Sequence, residues 1–216
     1  FAHLLGRLLA ETERISIRIS SLYPERVDEA LLPLLANGRV APHFHLSVQS
    51  GSDRILAAMR RPYTAQNVRD AVRRLREIKD DPFLACDIIA GFPGESDEDF
   101  AATLDLCGAS RFAWIHAFPF SPRPGTEAWL MRPRVPERVA GERVAALTAL
   151  AERGRREYCE AWIGREVRAI SESGGGPGSS RALTENYLSV SVDGPDLPRG
   201  RLIRVRITGI GTATLV

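Results

Sequence analysis

Polar side chains alternate with apolar ones along several short segments that have the composition of β-strands. In HFHLSVQ, the side chains of His45, Ser47 and Gln49 are separated by apolar residues, and Asp87 lies similarly in FLACDIIAGF. Successive strand residues point to opposite faces, so the polar residues of HFHLSVQ share one face, and Asp87 shares a face with Ile89 and Gly91. Imidazole, hydroxyl, amide and carboxylate groups on such a face could hold a polar ligand by hydrogen bonds.

The segments that carry these faces alternate with amphipathic helical patterns, which predicts βα units with a parallel sheet. The predicted strands are 14–20, 43–49, 83–92 and 112–120. Strands of an open parallel sheet covered on both sides are almost wholly apolar. A polar face therefore favours a barrel whose interior holds a ligand. An antiparallel sheet with a solvated face is the alternative, although the intervening helices disfavour hairpins.

Helix signals separate the strands. The pattern over 24–38 predicts a helix that Pro33 kinks or shortens. Thr64 is a suitable N-cap for the next helix, and Ser96, three residues before an aspartate, starts another. A long arginine-rich helix is predicted from about Glu137 to Trp162.

The remainder of the chain has short strand patterns and turns rich in glycine and proline, at 172–180 and 193–200. This pattern predicts a small antiparallel, OB-like β-barrel. We therefore divide the chain into 1–135, the distal part of a (β/α) barrel, 136–162, a linking helix, and 163–216, the terminal barrel.

Composition limits the function classes. The 216 residues carry a net charge of +2 and contain no apolar run long enough to span a membrane. The three cysteines lie too far apart for a disulfide framework or a metal site, so we expect no metal ligands and a reduced, cytoplasmic compartment. The chain opens like the middle of a helix, without a signal peptide, and we expect it to begin inside a larger protein.

Three long motifs, HLSVQSGSDRILAAMRRPYT, DIIAGFPGESDEDF and HAFPFSPRPGTEA, resemble in order and spacing the later barrel strands of the radical-SAM methylthiotransferases. The tail resembles the TRAM domain, a small RNA-binding β-barrel that ends those enzymes. RPGTEA and ALTENYLSVSV are most similar to one branch. That branch methylthiolates N6-threonylcarbamoyladenosine at position 37 of tRNA.

The resemblance implies S-adenosylmethionine as cofactor and two [4Fe–4S] clusters in the parent protein. The cluster ligands would lie outside this chain, which has no clustered thiolates. It also implies tRNA, through its anticodon loop, as partner, whereas the sequence identifies no sulfur donor and no catalytic residue. As an isolated piece, we expect the chain to be inactive and to bind no iron.

The resemblance also suggests which residues bind S-adenosylmethionine. Arg18 and Arg61 are candidates for its carboxylate, because a guanidinium forms paired, charge-assisted bonds to such a group. The other candidates on the cofactor-binding wall are Ser20, Gln49, Ser50, Asp87, Gly91 and Phe118.

On the terminal barrel, arginines and one aromatic residue suit RNA backbone and unpaired bases. These residues are Tyr187, Arg199, Arg201, Arg204 and Arg206. A solvated strand face is the alternative, since Arg204 and Arg206 alternate with apolar residues.

Three functional alternatives stay open. They are the branch that acts on isopentenyl-adenosine in tRNA, an RNA-binding remnant without catalysis, and a different radical-SAM enzyme such as one of the porphyrin pathway. The terminal barrel disfavours the last of these.

Overall fold

A computed structural model of the chain contains a parallel sheet in the order β1-β2-β3, with strands at His43–Gln49, Phe83–Ala90 and Trp114–Pro119. The structure describes residues 1–176, 178–194 and 196–216. Pro177 and Pro195, which fall in the two predicted turns, lie outside the described residues. The prediction of a parallel α/β sheet is confirmed. Strands β2 and β3 are slightly shorter than the predicted ranges 83–92 and 112–120.

Helices provide the crossovers that parallel strands require. Helices α1 to α7 span Ala2–Glu11, Leu32–Ala36, Asp53–Ala58, Ala65–Ile78, Asp97–Ser110, Glu127–Leu130 and Glu137–Ala161. Both predicted caps are confirmed: Thr64 and Asn67 form a capping box at the start of α4, and Ser96 and Asp99 form one at α5. The predicted long helix is α7.

One face of the sheet is buried under these helices. Phe44, Leu46 and Val48 of β1 and the neighbouring apolar residues of β2 are fully buried and pack against α4, α5 and α7. The residues between them point to the opposite face, as the alternation predicts.

The predicted strand at 14–20 is not a strand in the structure. The segment makes two isolated parallel bridges, Ile17 with Val40 and Leu22 with Leu46. The pairing shifts by one residue between these bridges, and within the gap the His43 N–H donates to the carbonyl of Ala41 at 2.8 Å and not to this segment. The segment therefore runs extended along β1 without forming a continuous ladder.

The predicted helix over 24–38 is also interrupted. A 3₁₀ turn covers Pro24–Arg26, and α2 begins only at Leu32, with Pro33 in its first turn. Proline is tolerated there because the first N–H groups of a helix have no intrahelical acceptor. Pro33 thus shortens the helix, which was one of the two predicted effects.

The C-terminal part forms a closed barrel with strand order β4-β5-β6-β8-β7. Its strands are Glu166–Glu172, Ser179–Thr184, Ser189–Asp193, Leu202–Gly209 and Thr212–Leu215. Closure pairs the strand edges that would otherwise be open. The prediction of a small barrel is confirmed, but it is not wholly antiparallel, because β6 and β8 pair in parallel.

Helix α7 connects this barrel to the sheet through Tyr158. The Tyr158 hydroxyl donates to the carbonyl of Asp81 at 2.9 Å and accepts from Asn186 Nδ2 at 3.0 Å. The Asn186 Oδ1 atom in turn accepts from Thr184 Oγ1 at 2.6 Å. Tyr158, Asn186 and Thr184 are all buried, so this chain of hydrogen bonds fixes the β5–β6 turn against the sheet.

Two glycines of α7 provide a matched test of its packing. A Cβ at Gly154 would lie 2.2 Å from the carbonyl oxygen of Phe112, whereas one at Gly141 meets nothing within 4 Å. We expect Gly141→Ala to raise the free energy of unfolding by about 0.5–1 kcal/mol, since alanine favours the helix. Gly154→Ala should lower it by about 1–3 kcal/mol through overpacking. Urea denaturation measures both, and equal effects of the two substitutions would contradict the packing.

Candidate active site

The open face of the sheet carries the polar groups that the alternation predicts. Strand register places Ser47 of β1 level with Asp87 of β2, and Asp87 level with His116 of β3. His45 lies two residues before Ser47 on the same face. Three neighbouring strands thus bring imidazole, hydroxyl and carboxylate groups together on one surface.

The histidines of this face are stacked. The rings of His45 and His116 lie 5.1 Å apart at an interplanar angle of 16°, and Phe118 continues the stack at 6.4 Å from His116. His45 Nε2 is 2.9 Å from Asp87 Oδ1, although the atoms are not aligned for a hydrogen bond. Trp114 Nε1 donates to His116 Nδ1 at 3.4 Å. The surface can therefore both stack on a planar group and hydrogen-bond to it.

Two imidazoles are held neutral near pH 7. Burial, together with the nearby charges of Arg18 and His45, lowers the pKa of His43 to about 4. Burial also lowers the pKa of His116, with a further contribution from His45. Neutral rings can donate and accept hydrogen bonds without a counter-charge.

A cavity of about 660 Å³ lies between this face and the terminal barrel. We call it the histidine cavity, because His43, His45 and His116 form its floor, with Arg18, Arg155 and Tyr187 around it. The Tyr187 ring is 4.2 Å from that of His43, so the β5–β6 turn forms one wall.

The exit of β1 is packed against α5. Ser50 Oγ and Thr103 Oγ1 are hydrogen-bonded at 3.3 Å, and Gly51 N donates to the same Thr103 oxygen at 2.9 Å. A Cβ at Gly51 would lie 2.5 Å from the carbonyl oxygen of Ala102, so the chain needs glycine there. Ser52 caps α3 and donates to Asp99 at 2.6 Å. Ser50, Gly51 and Ser52 therefore attach the end of β1 to α5.

The exit of β2 is held by a buried ion pair. Arg143 of α7 contacts Glu95 at 2.6 Å, and their side chains are 7% and 1% exposed. The Glu95 carboxylate also accepts from the backbone N–H of Gly91 at 2.7 Å. Burial raises the pKa of Glu95, against the hydrogen bonds from Gly91 and Arg143 that lower it. The Gly91 turn is thereby attached to α7.

The predicted cofactor residues fall into two groups. Arg18 and Ser20 line the histidine cavity, at the level of the start of β1. Gln49, Ser50 and Gly91 lie at the opposite, carboxyl ends of the strands. Asp87 and Phe118 lie on the open sheet face, closer to those carboxyl ends.

Arg61 borders a second cavity of about 370 Å³, which we call the strand-end cavity; its lining includes Met59, Arg61, Ile89, Phe92 and Phe120. The Nε atom of Arg61 is buried and has no hydrogen-bond acceptor among the described residues. The Gln49 backbone at the neighbouring strand end has a left-handed φ of 67°. An anionic group in the strand-end cavity would pair with the guanidinium of Arg61, which lines it.

Arg18 has a structural contact that the sequence did not predict. Its guanidinium donates to the carbonyls of Thr184 and Glu185 at 3.2 and 3.3 Å and lies 4.9 Å from the ring centre of Tyr187. Arg18 therefore connects the segment beside β1 to the terminal barrel, and its binding of a cofactor carboxylate stays a prediction.

The predicted RNA-binding residues are also divided. Arg204 and Arg206 lie exposed on β7, with Arg206 bound to Glu166 at 2.6 Å. Arg199 and Arg201 precede this strand in an exposed segment. Tyr187 lies against the sheet, between His43 and Arg18.

Sequence reasoning missed His43, Trp114 and Arg155 as cavity residues. His43 shares the strand alternation of His45 and could have been found from it. The position of Arg155 depends on how α7 crosses the sheet, which no local pattern reveals.

No group of three or more His, Cys, Asp or Glu residues suited to a metal ion occurs in the described part of the chain. Cys86, Cys107 and Cys159 are all buried. Among residues 1–176, 178–194 and 196–216, no helix has both the length and the hydropathy needed to cross a membrane.

Comparison with known proteins places these features in context. Residues 1–107 match the radical SAM superfamily. The whole chain is 53% identical to a threonylcarbamoyladenosine tRNA methylthiotransferase of Treponema pallidum, of which it covers 44%. Over 94% of its length it is 39% identical to the protein of the same name in Aquifex aeolicus, covering 49% of that relative. The chain thus spans about half the length of these curated relatives.

Two further similarities are more distant. Over 98% of its length, the chain is 38% identical to a tRNA-2-methylthio-N(6)-dimethylallyladenosine synthase of Sphingopyxis alaskensis, covering 48% of it. Among solved structures, the radical SAM enzyme coproporphyrinogen III oxidase of Escherichia coli matches with a TM-score of 0.57 at 17% identity, over 71% of this chain and 36% of that one. This last likeness concerns the fold alone.

The buried pair of Glu95 and Arg143 generates a stability prediction. Arg143→Met should lower the free energy of unfolding by about 3–5 kcal/mol, because it leaves a buried carboxylate without its partner. Adding Glu95→Gln should restore part of that loss. The exposed pair of Arg138 with Glu142 lies on the same helix, and Arg138→Met should change stability by less than about 0.5 kcal/mol. Equal losses in urea denaturation would contradict the role of the buried pair.

Proposed function

We propose that this chain, which belongs to the radical-SAM methylthiotransferase family, forms part of an enzyme that methylthiolates C2 of N6-threonylcarbamoyladenosine at position 37 of tRNA. The observation that carries the proposal is the 53% identity across the full chain to a relative of that name. The polar sheet face above an apolar core supports it, since a barrel interior that only packed would be apolar on this side.

The strand-end cavity is the proposed site for S-adenosylmethionine, which supplies the radical and the methyl group when bound. The buried Arg61 Nε lacks an acceptor among the described residues, and a carboxylate is the group that a guanidinium binds best. Gln49, Asp87, Gly91 and Phe118 lie at or near the same strand ends. Ser50 contacts Thr103 and thereby holds the end of β1 against α5.

The iron–sulfur clusters do not fit the residues of this chain. The three cysteines are buried on β2, α5 and α7, whereas cluster ligation needs neighbouring thiolates. We therefore propose that the ligands of the clusters belong to another part of the protein. The chain would provide the cofactor wall and the contacts with the RNA.

We further propose that the terminal barrel, as a TRAM domain over 163–216, binds tRNA near the anticodon loop through the arginines of β7 and the segment before it. Arg204 is exposed and forms no ion pair in the described part of the chain. Exposed guanidinium groups on a strand face suit phosphate contacts.

A second candidate function is methylthiolation of N6-dimethylallyladenosine in tRNA. The 38% identity to the Sphingopyxis alaskensis relative supports it. The two candidates differ in the charge of the substituent on N6 of the adenosine. The threonylcarbamoyl substituent carries a carboxylate at neutral pH, whereas the dimethylallyl substituent is a hydrocarbon.

Nucleoside analysis of tRNA tests the proposed activity. In cells that lack the natural gene, mass spectrometry should detect N6-threonylcarbamoyladenosine without its methylthio group, and the gene should restore that group. Arg61→Gln should reduce the restored product at least tenfold, whereas Arg73→Gln, whose side chain is exposed on α4 and paired with Glu77, should not. Loss of the methylthio group from dimethylallyladenosine alone would favour the second candidate.

The RNA contact has its own test. The double charge reversal Arg204→Glu and Arg206→Glu should weaken tRNA binding and reduce the slope of log K against log salt by about 1–2, because phosphate contacts release counterions. Arg7→Glu with Arg73→Glu, two exposed arginines of α1 and α4, changes the net charge equally and serves as control. An unchanged slope in filter binding would indicate that β7 is a solvated strand face that does not contact the RNA.

A further inference from the structure

The histidine cavity has two arginines in its wall. Arg18 and Arg155 line it, and none of its lining residues is acidic. The acidic residue on the same sheet face is Asp87, which contacts His45. His43 and His116 are neutral near pH 7. The two guanidinium groups therefore dominate the charge of the cavity.

Neither guanidinium forms an ion pair with a carboxylate in the described part of the chain. Arg155 lies 5.2 Å from the ring centre of Phe83 and has no ion pair or hydrogen-bond acceptor among residues 1–176, 178–194 and 196–216. Arg18 donates to two backbone carbonyls, which are neutral. The side chain of the adjacent Glu185 is bound by Arg168 at 2.6 Å. Both arginines thus retain donors and charge for a ligand.

The other walls are planar. The rings of His43, Phe83 and Tyr187 pack against one another, and His45 and His116 are stacked beside them. A volume of about 660 Å³ suits a nucleoside-sized ligand. Aromatic walls with unmatched guanidinium groups suit a planar ligand that ends in one anionic group.

We propose that the histidine cavity binds the carboxylate-bearing substituent on N6 of the substrate adenosine and selects it over an uncharged one. This inference rests on the proposed function and assigns its specificity to Arg18 and Arg155. A threonylcarbamoyl group ends in a carboxylate that can pair with the guanidinium groups. A dimethylallyl group offers no acceptor, so burying it there would desolvate both arginines without compensation.

Calorimetric binding of free nucleosides to the natural full-length protein tests this inference without requiring turnover. The probes are N6-threonylcarbamoyladenosine, its methyl ester and N6-dimethylallyladenosine. The acid should bind at least tenfold more tightly than the ester or the dimethylallyl compound. Because these ligands are compared on the same unmodified protein, a folding defect cannot explain the difference. Equal affinities of acid and ester would overturn the inference.

Matched variants locate the effect. Arg155→Gln should weaken binding of the acid about tenfold and leave the ester unchanged. Arg153→Gln, on the same helix but outside the histidine cavity, should change neither. Equal weakening by both variants, or equal weakening of acid and ester by Arg155→Gln, would overturn the assignment.

The two proposals fail separately. A protein that binds the acid selectively but leaves tRNA unmodified would contradict the proposed function while supporting the assignment of the cavity. A protein that methylthiolates threonylcarbamoyladenosine but binds acid and ester alike would contradict only the assignment of the cavity.

Discussion

The buried hydroxyl of Tyr158 joins three parts of the molecule, and the site beside the sheet depends on that junction. It bonds α7 to the loop before β2 and to Asn186 in the terminal barrel. Burial raises the pKa of this hydroxyl above its ordinary value, so it stays protonated and can donate. Because the β5–β6 turn is fixed in this way, Tyr187 stands over His43 and the sheet face becomes the floor of a cavity.

The two ends of the strands serve different purposes. At the carboxyl ends, most of the polar residues bond to one another or to α5 and α7, as Ser52 does with Asp99 and Arg143 with Glu95. These bonds stiffen the exits and leave few free donors, of which Arg61 Nε is one. At the amino ends, the terminal barrel covers the face, and the guanidinium of Arg155 remains unmatched. Polar groups without hydrogen-bond partners therefore indicate a binding site better than polar groups that bond to one another.

Local sequence patterns were sufficient to predict the strands and helix starts that depend on neighbouring residues alone. Strand alternation identified β1 and its polar face, and caps at Thr64 and Ser96 located two helix starts. The segment 14–20 has equally good alternation, but the neighbouring His43 N–H bonds to Ala41 and not to this segment, which the sequence of 14–20 alone does not reveal. The same holds for Tyr187, which was predicted to bind RNA and whose ring lies 4.2 Å from that of His43 on a turn that faces the sheet. Residues at domain contacts, such as Arg155, depend on long-range packing and are the hardest to predict.

Arg18 belongs to two surfaces at once, since it lines the histidine cavity and bonds to the carbonyls of Thr184 and Glu185. Anything that occupies the cavity touches groups from both the sheet and the terminal barrel. Such an occupant binds the docked arrangement better than a separated one, and thermodynamic linkage then requires that it tighten the docking by the same factor. Occupancy of the cavity and docking of the terminal barrel on the sheet are thereby coupled, so that a change in one changes the other.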